Sequence, residues 1–238
     1  MPEIIVTELA DQTVLVTGAG RGMGRYYVEQ LLERGVAKVY AAARDSHAIE
    51  VPDRRVVPLR LDVTDAESVA RAAATAEDVS VLINNAGIAE ATSVLEPGAE
   101  SLRRQLETNL FGPLALVTAF ADRLAERSGA VLNVSSVMAW WPVSGGYAVS
   151  KAAMWSATDV MRGELTPRGI QVSGLYMSFV DTGMSERLNG PKSNPADIVR
   201  TALDGLEAGD LEILADEQTR SVRAQLHRPI AERLALLA

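Results

Sequence analysis

Residues 13–24 read TVLVTGAGRGMG, and this stretch decides the fold. A short apolar run leads directly into the glycines Gly18, Gly22 and Gly24, and a helical pattern begins there. Glycine lets a backbone approach a bound group closely, and the first turn of a helix offers free N–H groups and partial positive charge. This order of strand, glycine turn and helix is typical of a site for a nucleotide pyrophosphate. A tight turn without a ligand is the alternative interpretation.

Short apolar runs alternate with helical patterns along the rest of the chain. The runs are apolar on both parities, as expected of strands that are buried on both faces of a parallel sheet. They are Thr13–Thr17, Val39–Ala43, Val56–Leu61, Val79–Ile83, Ala130–Val134, Ile170–Leu175 and Leu211–Leu214. The helical patterns are Gly22–Arg34, Ala66–Ala76, Glu100–Glu126, Gly146–Pro167 and Pro195–Ala208, with a short final helix in His227–Ala238.

This alternation predicts an α/β fold in which residues 1–238 form a single domain. We expect a Rossmann-type, doubly wound parallel sheet of about seven strands with helices on both faces. Asp65 and Asn194 are suited to cap the N-termini of two of the helices, and Gly35 is suited to end the first one.

Composition excludes several classes of protein. The 238 residues carry a net charge of −8, which argues against sequence-independent nucleic-acid binding. The chain has no cysteine, and its two histidines, His47 and His227, lie far apart, so we expect no metal site. Neither a signal peptide nor a long apolar segment is present in this sequence. We therefore expect a cytoplasmic protein that binds neither nucleic acid nor membrane.

The end of the second strand bears on the choice of nucleotide. An NAD site usually places an acidic residue there to bind the ribose hydroxyls, but this chain has Ala43 followed by Arg44. Arg21, inside the glycine turn, supplies a second guanidinium, and two guanidiniums suit a 2′-phosphate. The sequence therefore favours NADP(H) over NAD(H). NAD(H) stays open because Asp45 could serve a ribose, and both arginines could be ordinary surface residues.

Four segments appear in an order that resembles the short-chain dehydrogenase/reductase family. They are TGAGRGMG at 17–24, NNAG at 84–87, Asn109 and YAVSK at 147–151, and the resemblance runs from about Thr13 to Thr182. It implies that Asp62 and Val63 contact adenine, that residues 85–87 lie under the adenosine ribose, and that residues 180–182 bind the carboxamide. The cofactor-binding set is then Gly18, Arg21, Gly22, Met23, Gly24, Arg44, Asp62, Val63, Asn85, Ala86, Gly87, Tyr147, Lys151, Val180 and Thr182.

The resemblance also implies a catalytic set of Asn109, Ser136, Tyr147 and Lys151. Tyr147 would be the general acid in reduction and the general base in oxidation. Lys151 follows four residues later on the same helix face, so its ammonium should lower the pKa of the phenol and also hold the nicotinamide ribose. Ser136, with Ser135 as the alternative, would bind the substrate carbonyl. Asn109 would anchor a water, or else satisfy a helix bend before Gly112.

The chain departs from the family pattern in two places. The loop from Ser136 to Tyr147 is shorter than usual. Met177 and Ser178 stand where the family usually has Pro-Gly, beside the nicotinamide.

The substrate should meet the residues that follow the fifth and sixth strands. These candidates are Met138, Trp140, Trp141, Met177, Phe179 and Met184. Of the two tryptophans, we expect Trp140 to pack inward and Trp141 to form the pocket wall. Such a wall suits an uncharged, fairly apolar ketone, aldehyde or secondary alcohol. Residues 183–194 would form a modest lid or an ordinary surface loop.

The leading hypothesis is an NADPH-dependent carbonyl reductase, working in reverse as an alcohol dehydrogenase on a small molecule. One alternative is a nucleotide-binding regulatory protein without turnover. Another is a sugar-nucleotide epimerase or dehydratase, although those chains normally have a larger C-terminal domain. The helices Glu100–Glu126 and Gly146–Pro167 carry many apolar residues, and a second apolar face on them would imply a subunit interface. Because members of the resembled family commonly pair through these helices, the resemblance implies a homodimer or homotetramer.

Overall fold

The computed structural model describes residues 6–90, 92–95, 99–141, 143 and 145–235. Within these ranges seven strands form one parallel sheet, ordered β3-β2-β1-β4-β5-β6-β7. The strands are β1 Thr13–Thr17, β2 Lys38–Ala43, β3 Val56–Arg60, β4 Val81–Asn84, β5 Ala130–Val134, β6 Gln171–Tyr176 and β7 Glu212–Leu214. The order reverses direction between β1 and β4, as in a doubly wound sheet, so the predicted fold class is confirmed.

Eight α-helices accompany the sheet in the described part of the chain. They are α1 Met23–Glu33, α2 Ala66–Thr75, α3 Glu100–Leu106, α4 Gly112–Glu126, α5 Gly146–Leu165, α6 Pro195–Glu207, α7 Glu217–Ala224 and α8 Ile230–Ala235. None of the described helices combines the length and the apolar character that a membrane crossing requires.

The helices cover both faces of the sheet because successive strand residues point to opposite sides. Val14 and Val16 of β1 pack in the core with α1 and α6, whereas Leu15 packs in a second core with α2, α4 and α5. All five residues of β1 are buried. This burial on both faces explains why the strand runs of the sequence are apolar on both parities.

The predicted helix ends are present. The Asp65 carboxyl accepts the Glu67 N–H at 3.0 Å, and the Asn194 amide oxygen accepts the Ala196 N–H at 2.8 Å. Gly35, just beyond α1, has a φ of 78°, a conformation that ends a helix. The capping predictions are therefore confirmed.

The predicted helix Glu100–Glu126 is not regular. A π-helical turn over Glu107–Phe111 separates α3 from α4, and the Gly112 N–H bonds the Glu107 carbonyl five residues back. Pro113 explains the turn, because it has no N–H and its ring would press on the Asn109 carbonyl in a regular helix. The turn holds Asn109, one of the expected site residues.

The C-terminal region differs from the expectation. The predicted final helix, His227–Ala238, is α8 over Ile230–Ala235, and residues 236–238 lie outside the described range. An additional helix, α7, precedes it. No apolar periodicity predicted this helix, because Thr219 is its one buried residue. Asp216 caps α7 by accepting the Thr219 N–H at 2.8 Å.

Candidate active site

The glycine turn between β1 and α1 has room for a ligand only because of its glycines. Gly22 has a φ of 54°, which is strained for any residue with a side chain. A Cβ on Gly24 would stand 2.1 Å from the Gly18 carbonyl oxygen, an impossible contact. No side chain caps α1, so its first N–H groups are free of side-chain acceptors. These features form a cradle that suits a pyrophosphate.

Thr17 ties the glycine turn to the segment after β4. Its hydroxyl oxygen accepts the N–H groups of Asn85 and Ala86, each at 2.9 Å. The Asn85 amide in turn donates to the Thr17 carbonyl at 2.8 Å. Asn85 and Ala86 therefore lie beside the turn, as expected, but the Asn85 amide hydrogens are used within the protein. Sequence reasoning missed Thr17, whose only signal was its place at the end of β1.

Two exposed arginines flank this cradle. Arg21 and Arg44 form no ion pair or hydrogen bond with any described residue. Asp45, the residue that kept NAD(H) open, accepts the His47 N–H at 3.1 Å as the cap of a short turn. Asp62 accepts both the N–H and the hydroxyl of Thr64, and these bonds lower its pKa, with Arg44 adding to the effect. Both guanidiniums are thus available to a phosphate.

Lys151 is buried on α5, one helical turn after Tyr147. Its ammonium donates to the Val134 carbonyl at 2.9 Å and lies 5.7 Å from the centre of the Tyr147 ring. Only 5% of Lys151 is exposed, and burial lowers its pKa to about 8. Lys151 therefore titrates near neutral pH in this setting.

The expected lowering of the Tyr147 pKa by Lys151 is wrong for this structure. Burial raises the pKa of Tyr147 to about 12, and among the described residues the Ser136 hydroxyl alone lowers it. The physical reason is that the Lys151 ammonium bonds the Val134 carbonyl rather than the phenol. Tyr147 consequently holds its proton at neutral pH.

The two serines after β5 face different partners. Ser136 interacts with Tyr147, accepts the Met138 N–H at 3.2 Å and donates to the Met177 carbonyl at 3.4 Å. The Ser135 hydroxyl instead donates to the Lys151 backbone carbonyl at 3.4 Å. Ser136 is therefore the serine placed beside the tyrosine.

Asn109 joins the π-helical turn to the tyrosine helix. Its amide donates to the Ile88 carbonyl and to the Ser150 hydroxyl, both at 2.9 Å, and its oxygen accepts the Ile88 N–H. Ser150 in turn donates to the Tyr147 carbonyl at 2.8 Å. A Cβ on Gly87 would stand 3.2 Å from the Asn109 oxygen and 3.9 Å from the Lys151 ammonium, so these groups converge. Ser150 was not singled out from the sequence.

An apolar wall surrounds the Tyr147 ring. Its buried members are Val137, Met138 and Ala148, and its partly buried members are Trp141, Val143, Tyr147, Phe179 and Val222. Three of the six expected pocket residues, Met138, Trp141 and Phe179, lie here. Val222 belongs to α7, so no spacing in the sequence pointed to it.

The other three pocket candidates lie outside this wall, which corrects the assignment of Met177 and Met184 to it. Trp140 stacks on Tyr176 at 4.4 Å between ring centres and meets Trp155 edge-on, so it anchors the loop from within, as expected for one of the two tryptophans. Met177 packs into the core that contains α1 and α6. Met184 is 55% exposed and lies outside the wall.

The segment after β6 returns to the glycine turn. A Cβ built on Gly22 would lie 3.7 Å from the Thr182 methyl group. Thr182 therefore lies next to the glycine turn. Val180 pairs with Ser193 in a short parallel bridge, which holds both ends of the expected lid.

Two further residues of the expected cofactor-binding set have contacts within the protein. Met23 packs against the core under α1, and Val63 packs against Gly112.

Comparison with known proteins is consistent with this geometry. The family model described as short chain dehydrogenase matches residues 12–193. This chain belongs to the short-chain dehydrogenase/reductase family. The resemblance drawn from the glycine turn, NNAG, Asn109 and YAVSK is thereby confirmed.

The relatives of this short-chain dehydrogenase/reductase include oxidoreductases of different length. The probable oxidoreductase EphD of Mycobacterium tuberculosis is 35% identical over 191 residues, or 73% of this chain, and the chain spans 32% of the length of EphD. The 3-oxoacyl-(acyl-carrier-protein) reductase FabG of Vibrio harveyi is 30% identical, with 76% of this chain and 78% of FabG covered.

A solved structure matches nearly the whole chain. It is a short chain dehydrogenase from Burkholderia cenocepacia in complex with NADP. The two superimpose with a TM-score of 0.92 at 35% identity, over 97% of this chain and 99% of that protein. The fold is therefore that of the family.

Proposed function

We propose that this chain is an NADP(H)-dependent oxidoreductase that transfers hydride between the nicotinamide and a fairly apolar ketone, aldehyde or secondary alcohol. The observation that carries the proposal is the convergence of Ser136, Tyr147 and Lys151 at the carboxyl ends of the strands. An apolar cluster packs with Tyr147, and the glycine cradle follows β1 in the same sheet, which supports a cofactor and a small substrate that meet at this edge.

The residues present fit NADP(H). The glycines between β1 and α1 leave space for the pyrophosphate, and Arg21 and Arg44 are free to bind a 2′-phosphate. The Burkholderia cenocepacia relative is in complex with NADP, which supports the same choice. NAD(H) is the second cofactor to test, although Asp45 is engaged in its own turn.

The cofactor supplies the hydride, and the protein supplies the proton and the orientation. Tyr147, with its pKa raised to about 12, keeps a proton to give to the carbonyl oxygen. The Ser136 hydroxyl, which donates to the Met177 carbonyl in the absence of substrate, would turn to donate to that oxygen as charge develops. Lys151 and Asn109 fix the start of α5 through their bonds to the Val134 carbonyl and to Ser150.

The apolar wall around Tyr147 supports an uncharged substrate. Trp141 and Phe179 give it two aromatic side chains. A ketone with an apolar substituent can bury that substituent here while its carbonyl faces Ser136 and Tyr147. Reduction of a ketone group is also the chemistry named for the FabG relative.

The test is NADPH oxidation by purified protein with a panel of apolar ketones and aldehydes. Tyr147→Phe should lose about 100- to 10,000-fold of the activity while it still binds NADPH, because it lacks only the proton donor. Tyr26→Phe, the same exchange on α1, is the matched control and should keep wild-type rates. NADPH binding without turnover of any substrate would overturn the enzyme proposal and favour the regulatory alternative.

We further propose that the enzyme is cytoplasmic and works as a homodimer or homotetramer. Exposed apolar residues on the π-helical turn and on α5 support this assembly. They are Phe111, Val149 and Val160.

A further inference from the structure

One peptide group beside the active site is held from both ends. It joins Met177 to Ser178, directly after β6. Its carbonyl oxygen accepts the Val137 N–H at 2.9 Å and the Ser136 hydroxyl at 3.4 Å. Its N–H donates to the Asp216 carboxyl at 2.7 Å. This peptide therefore lies between the Ser136 segment and Asp216 and contacts both.

Asp216 uses its two oxygens for two different tasks. One accepts the Ser178 N–H, and the other accepts the Thr219 N–H at 2.8 Å as the N-cap of α7. The neighbouring Ala215 N–H donates to the Tyr176 carbonyl at 2.9 Å, so the backbone of this segment is also fixed to β6. The carboxyl group is thus rigidly placed behind the peptide.

We propose that Asp216 is a positioning residue of the reaction, which orients the Met177–Ser178 peptide and through its carbonyl the Ser136 hydroxyl beside Tyr147. This inference rests on the proposed function. A carboxylate bonded to the N–H end of a peptide forms a strong bond and strengthens the carbonyl at the other end as an acceptor. Asp216 thereby holds a turn in which Met177 and Ser178 replace Pro-Gly.

The same segment connects to the substrate wall. Val222, on the helix that Asp216 caps, contacts both the wall around Tyr147 and the cluster around Trp140. A change in the position of Asp216 would therefore displace both the Ser136 hydroxyl and the Val222 side chain.

Two substitutions separate the positioning role from the capping role. In Asp216→Ser the hydroxyl still caps α7 but is too short to reach Ser178, and in Asp216→Asn the amide can cap but offers Ser178 no second acceptor. Each variant should lower kcat for ketone reduction by about tenfold or more, because the Ser136 hydroxyl loses its orientation. The KM for NADPH should stay within about threefold of the wild-type value, because cofactor affinity is not affected. The matched control is Asp65→Ser at the cap of α2, which should keep kcat within about twofold.

Hydrogen exchange gives a readout that needs no substrate. In the Asp216 variants the amides of Ser178 and Val137 should exchange faster than in wild type and in Asp65→Ser. Unchanged kcat in both Asp216 variants of an active enzyme, or unchanged exchange at Val137, would overturn the inference. If wild type turns over nothing, the proposed function fails, and the exchange at Val137 still decides whether Asp216 positions the serine segment.

Discussion

Tyr147 and Lys151 have pKa values that burial moves in opposite directions. The phenol is neutral when protonated, so burial raises its pKa to about 12, whereas the ammonium loses solvation and its pKa falls to about 8. At neutral pH the pair therefore consists of a protonated phenol and a lysine close to its titration point. This state suits proton donation, which is the direction of carbonyl reduction.

These values predict a pH profile for ketone reduction. Lys151 is charged at pH values below its pKa of about 8 and loses that charge as the pH rises through it, whereas Tyr147 stays protonated throughout. We expect kcat/KM to be flat up to about pH 7 and to fall above about pH 8, because the charge-assisted bond from Lys151 to the Val134 carbonyl, which holds the start of α5, weakens as the ammonium loses its proton. Steady-state rates between pH 6 and about 10 with NADPH check this.

Lys151→Arg identifies the group behind that fall. A guanidinium stays charged up to about pH 12, so the alkaline fall should disappear in this variant even if its absolute rate is low. The same fall in Lys151→Arg would assign the titration to another group.

Arg44 should determine cofactor preference. It is exposed and forms no ion pair or side-chain hydrogen bond with the described residues, so its removal should weaken NADPH binding and leave NADH binding nearly unchanged. Arg54→Ala, which removes another exposed guanidinium before β3, is the control. Fluorescence titration with both nucleotides measures the ratio. An unchanged preference in Arg44→Ala would remove the role given to this residue.

Among the helices, strands and loops, three hydrogen-bonded contacts between separate elements hold the site together. The π-helical turn holds Asn109 against Ser150, the loop after β5 holds Ser136 against Met177, and α7 holds Ser178 through Asp216. Each connection joins a helix or loop to the carboxyl edge of the sheet. The tyrosine helix is therefore fixed from several sides.

Two glycine substitutions test how tightly the π-helical turn is packed. A Cβ on Gly112 would stand 2.8 Å from a methyl group of Val63, so Gly112→Ala should destabilise the fold by about 1–3 kcal/mol. Gly163, on α5, has no atom within 4 Å of a Cβ, so Gly163→Ala should stabilise by about 0.5–1 kcal/mol. Urea unfolding measures both. Equal stabilities for the two variants would contradict the close packing of α4 against Val63.

In the whole molecule, the apolar residues of interest are those on the outer surface of the helices, which face solvent or a second copy of the chain. Phe111, before α4, is 50% exposed and Val160, on α5, is 56% exposed. Apolar side chains that face outward from neighbouring helices are suited to an interface between copies.

Sedimentation tests that interface. Wild type should sediment as a dimer or tetramer at micromolar concentration, and Val160→Asp should shift it towards monomer because a buried unpaired charge is unfavourable. Val6→Asp, which changes an equally exposed valine before β1, should sediment like wild type. A monomeric wild type would disprove the assembly.

The sequence by itself determined the sheet, its glycine turn and the shared helix face of Tyr147 and Lys151. These features depend on spacing along the chain, since strands and helices repeat with fixed periods. Only the folded chain shows the raised pKa of Tyr147, the separate places of Trp140 and Trp141, and the bond from Ser178 to Asp216. Asp216 meets Ser178 across 38 residues, and Asn109 meets Ser150 across 41. Burial and contacts over such separations arise only when the chain has folded, because no local period encodes them.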